Sequence, residues 1–148
     1  MTKSKIIKKV VKKSKEKPKL DPLSLPVDVE GFSYWKNRPL DDPRKDWRFE
    51  GNGTWVDEYW SSQEHPHRSL IVEALEKLNP FSSLLELGCN CGPNLSRISS
   101  FIGVRLAGID ANEPAARRAR ELLPGADIRV GNIDQLPFSE KEFDVVLA

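Results

Sequence analysis

The sequence predicts an α/β fold, a parallel sheet with helices on both faces, and three observations carry that prediction. Apolar runs of strand length recur at 83–87, 104–109, 126–130 and 143–147; helix-patterned stretches separate the first three; and the first three give way at their carboxyl ends to glycine, amide or carboxylate residues. Strands joined through intervening helices must run the same way, because each helix carries the chain back across the sheet. In order, Leu70, Ile71, Ala74, Leu75 and Leu78 fall at i, i+1, i+4, i+5 and i+8, one stripe of a helix with Pro66 in its first turn and Pro80 beyond its end. Ser83 to Leu87 is the first strand. It breaks into a turn at Gly88–Gly92, and a helical stretch runs from Pro93 to about Phe101. Val104 to Ile109 forms the second strand, ending at Asp110. Asn112 is placed to cap a helix that runs to Leu123 and stops at Pro124-Gly125. Ala126 to Val130 is the third strand and Phe143 to Leu147 the fourth. The sequence ends one residue later, at Ala148, so the sheet reads as truncated after its fourth strand, with an unpaired edge.

Charge and aromatic residues divide the chain into three parts. Residues 1–20 hold nine Lys against the single acid Glu16, a charge of +8. The other 128 of the 148 residues therefore carry −7, since the whole chain sums to +1. With no aromatic residue the segment cannot bury enough apolar area to fold alone, and Pro-rich 21–30 follows as a linker, so 1–30 reads as a basic, disordered tail. Ile6, Ile7, Val10 and Val11 would line one face of a basic helix if an anionic membrane or a nucleic acid supplied counter-charge; a solvated arm is the plainer reading. Residues 31–64 contain eight of the twelve aromatics, Trp47 and Phe49 among them, mixed with turn formers such as Asn37, Pro39, Asp41, Pro43 and Gly51. They read as an irregular extension docked on the domain at 65–148. No run of 18 apolar residues and no secretory leader pattern is present, and Cys89 and Cys91 lie too close together for a relaxed disulfide; a cytoplasmic location is the expectation. Cys89 and Cys91 with His65 and His67 make a poor zinc set, because one-residue spacing within each pair does not suit tetrahedral ligation, and no metal is expected.

The informative polar residues gather at the strands' carboxyl ends: Glu86, Gly88, Asn90 and Gly92 after the first strand, Asp110 and Ala111 after the second, and Asn132, Ile133 and Asp134 after the third. Ligands of doubly wound sheets sit there, and a carboxylate some twenty residues past the first glycine is placed to accept from both ribose hydroxyls. Asp134 is placed to accept from an exocyclic adenine amine. A dinucleotide fingerprint begun at Gly88 would need glycine where Asn90 and Pro93 stand, and no Gly-Lys-Ser/Thr follows any strand, so pyrophosphate and triphosphate binding both lose support.

ELGCNCGPNL at 86–95, GIDAN at 108–112 and GNIDQLPFSEKEFDVVLA at 131–148 resemble, in order and spacing, the motifs of class I S-adenosylmethionine-dependent methyltransferases. The resemblance covers roughly 66–148 and implies a Rossmann-like sheet of which 65–148 is the N-terminal half. It further implies that Glu86, Gly88 and Gly92 frame the cofactor's methionine part, that Asp110 holds the ribose, and that Ile133 and Asp134 receive the adenine. The family's middle glycine is Asn90 here, a residue that tolerates left-handed backbone. The reaction implied is methyl transfer from the sulfonium to an acceptor the sequence does not identify, and the catalytic residues stay unassigned. Two other classes are weighed beside it: a nicotinamide-dependent oxidoreductase, and a non-catalytic binding module on the same scaffold. Trp60, His65, His67 and Arg68 are placed to close over the cofactor, with helix capping and packing as the plainer role for His67 and Arg68.

Overall fold

The computed structural model describes residues 30–40, 42 and 53–148. The basic tail at 1–20, most of the linker, Asp41, Pro43, Gly51, Trp47 and Phe49 lie outside the described residues. Four strands, β1 (Ser83–Leu87), β2 (Arg105–Asp110), β3 (Asp127–Val130) and β4 (Val145–Leu147), pair in parallel in the order β3-β2-β1-β4. The register sets Glu86 opposite Gly108 of β2 and Leu147 of β4. Sheet order thus reverses at β1, the switch point where a crevice opens at the carboxyl ends.

Helices α3 (Pro66–Glu76), α4 (Pro93–Ile98) and α5 (Glu113–Leu122) join the sheet in one core of Leu75, Leu95, Ile98, Ala116 and Ala119 against Leu84, Leu106 and Ile128. Among the described residues these three helices share one face of the sheet. Right-handed crossovers explain the arrangement: the steps β1 to β2 and β2 to β3 move the same way across the sheet and put α4 and α5 on the same side. The step from β3 back past β1 to β4 must cross the other face, and there the connection 131–144 is a loop. Strand alternation turns Arg105 and Arg129 toward that loop. Arg105 pairs with Glu142 at 3.0 Å and lies 4.4 Å from the centre of the Phe143 ring, while Arg129 lies 4.2 Å from that of Phe138 and donates to the Pro137 carbonyl. Two cation–π contacts therefore pin the loop where no helix does.

The extension departs from expectation. Residues 31–64 were expected to be irregular, yet they hold α1 (Glu30–Asn37), α2 (Trp55–Ser61) and a 3-10 turn at Ser62–Glu64. A capping box starts α2: the Thr54 hydroxyl accepts from the Asp57 amide, and the Asp57 carboxylate accepts from the Thr54 amide at 2.9 Å. Part of the extension packs on the domain. Trp55 and Val56 are buried with Cys91 and Ala115, and the Trp55 indole donates to the Pro39 carbonyl at 2.9 Å. Elsewhere α4 ends at Ile98, one turn short of the expected Phe101, where Ser99 and Ser100 turn their hydroxyls back on the carbonyls of Ser96 and Arg97.

Candidate functional site

The turn after β1 is built from three residues with left-handed backbone. Gly88 has φ 71°, Asn90 52° and Gly92 83°. A Cβ on Gly92 would sit 2.5 Å from Leu123 Cδ1, so that side chain would have to turn aside, and the left-handed φ strains any other L residue there. The Ile109 carbonyl accepts from the amides of Gly88 at 2.8 Å and Cys89 at 3.0 Å, which ties the turn to the end of β2. Asp110 completes the tie: its carboxylate accepts from the Asn90 amide at 2.7 Å and from the Asn112 amide at 2.8 Å. Burial raises its pKa, and those two amides, Asn112 and then Asn90, oppose the rise. Ala111 lies half-buried between them.

Glu86 is the least ordinary group in the site. It is 5% exposed, on the helical face of β1 near its carboxyl end. Its Oε1 accepts from Asn94 Nδ2 of α4 at 2.6 Å, and its Oε2 is buried with no hydrogen-bond partner. Desolvation pushes its pKa up to about 7, Asn94 and Arg68 pull it down, and the Asp110 charge adds to the rise. A buried carboxylate oxygen left unpaired is costly, and such groups mark places where a ligand completes the structure.

Behind Glu86 stands a chain of side chains of which the sequence pointed to Arg68 alone, as a residue near the cofactor or a helix cap, and not to Asn94 or Ser62. Asn94 Oδ1 accepts from the Arg68 guanidinium of α3, and Arg68 in turn donates to the Ser62 carbonyl at 2.9 Å and to the Ser62 hydroxyl at 2.7 Å. Arg68, named in sequence as a capping or packing residue, is 7% exposed and tied into the site. Asn94 had no signal at all, since a polar residue on a short helix looks like solvent-facing surface. Trp60 packs against the Trp55 cluster, and His65 and His67 are exposed, their Nδ1 atoms 2.6 Å apart. Among the described residues no group of three or more metal-ligating side chains gathers. Both cysteines are buried; burial raises the Cys89 thiol strongly and pushes that of Cys91 up to about 12. They act as small fillers of the turn, with Cys91 Sγ 3.3 Å from the Val56 carbonyl.

At the third strand the arrangement is looser. Ile133 is 56% exposed, and Asp134 is exposed and paired only locally, with Asn132 Nδ2 at 3.1 Å. Glu86, Gly88, Asn90, Gly92, Asp110, Ala111, Ile133 and Asp134 thus all lie at or just beyond the carboxyl ends of β1, β2 and β3.

Residues 84–148 match the family model described as methyltransferase domain. Over this segment the chain is similar to class I methyltransferases. Enzymes of that class take the methyl group from S-adenosylmethionine, the cofactor the sequence motifs imply. The methyltransferase domain superposes on the plantazolicin methyltransferase BpumL, solved in complex with a pentazolic desmethylPZN analog and SAH, with TM-score 0.50 and 27% identity over 62% of this chain and 38% of that one. The plantazolicin methyltransferase BamL, solved with a triazolic desmethylPZN analog and SAH, gives TM-score 0.51 at 25% identity over the same shares. The complex of the Haloferax volcanii Trm112 methyltransferase activator and a putative methyltransferase shares the fold, at TM-score 0.52 and 22% identity over 62% of this chain and 42% of that one. In sequence, an uncharacterized 37.1 kDa protein in transposon TN4556 of Streptomyces fradiae is 31% identical over 83 residues, which are 53% of this chain and 24% of that protein. The chain therefore spans less than half the length of the relatives it matches. Among the described residues no helix is long and apolar enough to cross a membrane.

Proposed function

We propose that the chain is the cofactor-binding half of an S-adenosylmethionine-dependent methyltransferase. The observation that carries this reading is the buried, unpartnered Glu86 Oε2 beside the glycine turn. S-adenosylmethionine has an ammonium and a sulfonium where a dinucleotide has phosphates. A buried carboxylate attracts the first pair and repels the second, so the residues present fit the sulfonium cofactor. Glu86, with Gly88, Asn90 and Gly92, holds the methionine part. Asp110, with Ala111, takes the ribose through lone pairs that its two backbone amides leave free, and those amides fix its carboxylate plane in advance. Ile133 and Asp134 receive the adenine, one by apolar contact and the other by accepting from the exocyclic amine. Once bound, the cofactor supplies an electrophilic methyl group on sulfur. The chain's own contribution is to orient that methyl and shield it from water, and orientation is the larger part of catalysis in a direct displacement.

The nicotinamide reading has neither the glycines at 90 and 93 nor support from the comparisons, and the non-catalytic module has no observation in its favour. The Lys-rich segment 1–20, a solvated arm in the plainer reading, is the one candidate for a weak, salt-sensitive contact to RNA or another anionic surface, and the buried thiols suit a cytoplasmic, reducing setting. The acceptor stays unassigned. A thermal-shift titration read by the four Trp tests the reading. S-adenosylhomocysteine should raise the midpoint of the wild type, and NADH should leave it unchanged. A clear unfolding transition that S-adenosylhomocysteine does not move would refute cofactor binding by this chain.

A further inference from the structure

Resting on that reading, we infer that Arg68 and Asn94 are positioning residues for the cofactor's ammonium: Ser62 holds Arg68, Arg68 fixes the Asn94 carboxamide, and Asn94 fixes Glu86 so that only its Oε2 is presented to the ligand. The chemistry of the partners settles the orientation of each link. A guanidinium only donates and a carboxylate only accepts, so an amide between them must turn its oxygen to Arg68 and its nitrogen to Glu86. The structure shows that arrangement. Arg68 is held from behind by two bonds to Ser62, at 2.9 and 2.7 Å, so its guanidinium is committed within the relay. The 3-10 turn, α3, α4 and β1 each supply one member. The site's buried charge is thereby linked to the extension that precedes the domain.

A carboxylate aimed in this way binds a cation only when ionised, so the relay also sets the pH range of binding. The charged or titratable groups that face Glu86 are Arg68 from α3, Asp110 from the end of β2 and the Cys89 thiol in the turn. Asn94 and Arg68 favour the ionised form, while Asp110 and burial oppose it. Removing Asn94's donor should therefore move the titration of Glu86 to higher pH and weaken ammonium binding at neutral pH. Substituting Arg68 by Lys, which cannot hold Ser62 and Asn94 together, should do the same.

The test follows the Glu86 carboxyl carbon by NMR across pH in the ligand-free 148-residue chain, for wild type, Asn94→Ala, Arg68→Lys and Ser62→Ala. Calorimetry on the same proteins then gives the affinity for S-adenosylhomocysteine and for its analogue lacking the α-amino group. The relay expects the Glu86 titration to move up in Asn94→Ala and Arg68→Lys, with a smaller move in Ser62→Ala. Affinity for S-adenosylhomocysteine at pH 7 should fall about tenfold in the first two, and affinity for the deaminated analogue should not fall. Unmoved titration and unchanged affinity in variants whose wild type binds would overturn the relay and leave the methyltransferase reading standing. Lost affinity in Arg68→Lys with an unmoved Glu86 would make Arg68 a direct ligand of the cofactor's carboxylate, which also overturns it. A wild type that binds neither compound would overturn the methyltransferase reading and the relay together. Ser62→Ala removes one half-buried hydroxyl and its bonds to Arg68 and the Tyr59 carbonyl, the smallest change of the set, so it keeps the comparison usable if a larger change prevents folding.

Discussion

The two ends of the proposed cofactor groove are built by different means. At the methionine end a buried carboxylate, an amide and a guanidinium from three successive elements, β1, α4 and α3, are locked together, and one oxygen is left over. At the adenine end Ile133 and Asp134 stand exposed on a loop held in place from a distance by Arg105 and Arg129. The first end is organised before any ligand arrives, at the cost of burying charge. The second gains its burial from the ligand itself. Recognition of the cationic end should therefore be strong and pH-dependent, and recognition of the base weaker and tolerant of substitution.

The largest expected effect is on the turn that joins the two ends. Gly92→Val meets both a left-handed backbone and Leu123 at 2.5 Å, so it should cost about 3 kcal/mol or more of stability, seen as a lowered midpoint in chemical denaturation. Next comes Asp110→Ala, which strips the amides of Asn90 and Asn112 of their acceptor along with the ribose contact. It should lower stability by about 2 kcal/mol and abolish the thermal shift given by S-adenosylhomocysteine; retention of that shift would move the ribose elsewhere. Glu86 sharpens the contrast by its pH dependence. Its folded pKa of about 7 lies above the ordinary 4.5, so the folded state binds the extra proton and stability falls as pH rises between those values. The ligand-free chain should lose on the order of 3 kcal/mol across that window through Glu86, a slope that Glu86→Gln flattens while it weakens S-adenosylhomocysteine binding about tenfold or more. The smallest effect belongs to the exposed end: Ile133→Ala should leave stability within about 0.5 kcal/mol and weaken binding only a few-fold. A loss there as large as that of Glu86→Gln would erase the distinction between the two ends.

Much of this was legible in sequence because each of the first three strands announces itself twice, by an apolar run and by the residue that ends it. Gly88, Asp110 and Gly131 close β1, β2 and β3, and Asn112 caps α5 as read, its side chain accepting from the Ala115 amide. The loop 131–144 on the second face carried no signal of this kind, because the arginine–aromatic contacts that hold it leave no periodic trace. Helix α2 was missed for its brevity: seven residues in turn-rich surroundings carry no stripe, although Thr54 and Asp57 at cap spacing were the available signal. Asn94 and Arg68 are a different matter. They are 26 residues apart, and only the fold brings them to one carboxylate, so no local pattern could have paired them.

The central claim is that a buried carboxylate selects a cationic cofactor over a pyrophosphate one. Parallel calorimetric titrations of wild type and Glu86→Gln with S-adenosylhomocysteine and with NADH test it most directly. The account expects wild type to bind S-adenosylhomocysteine and not NADH, with the affinity falling sharply in Glu86→Gln. NADH binding that survives Glu86→Gln, beside no binding of S-adenosylhomocysteine by folded wild type, would contradict it.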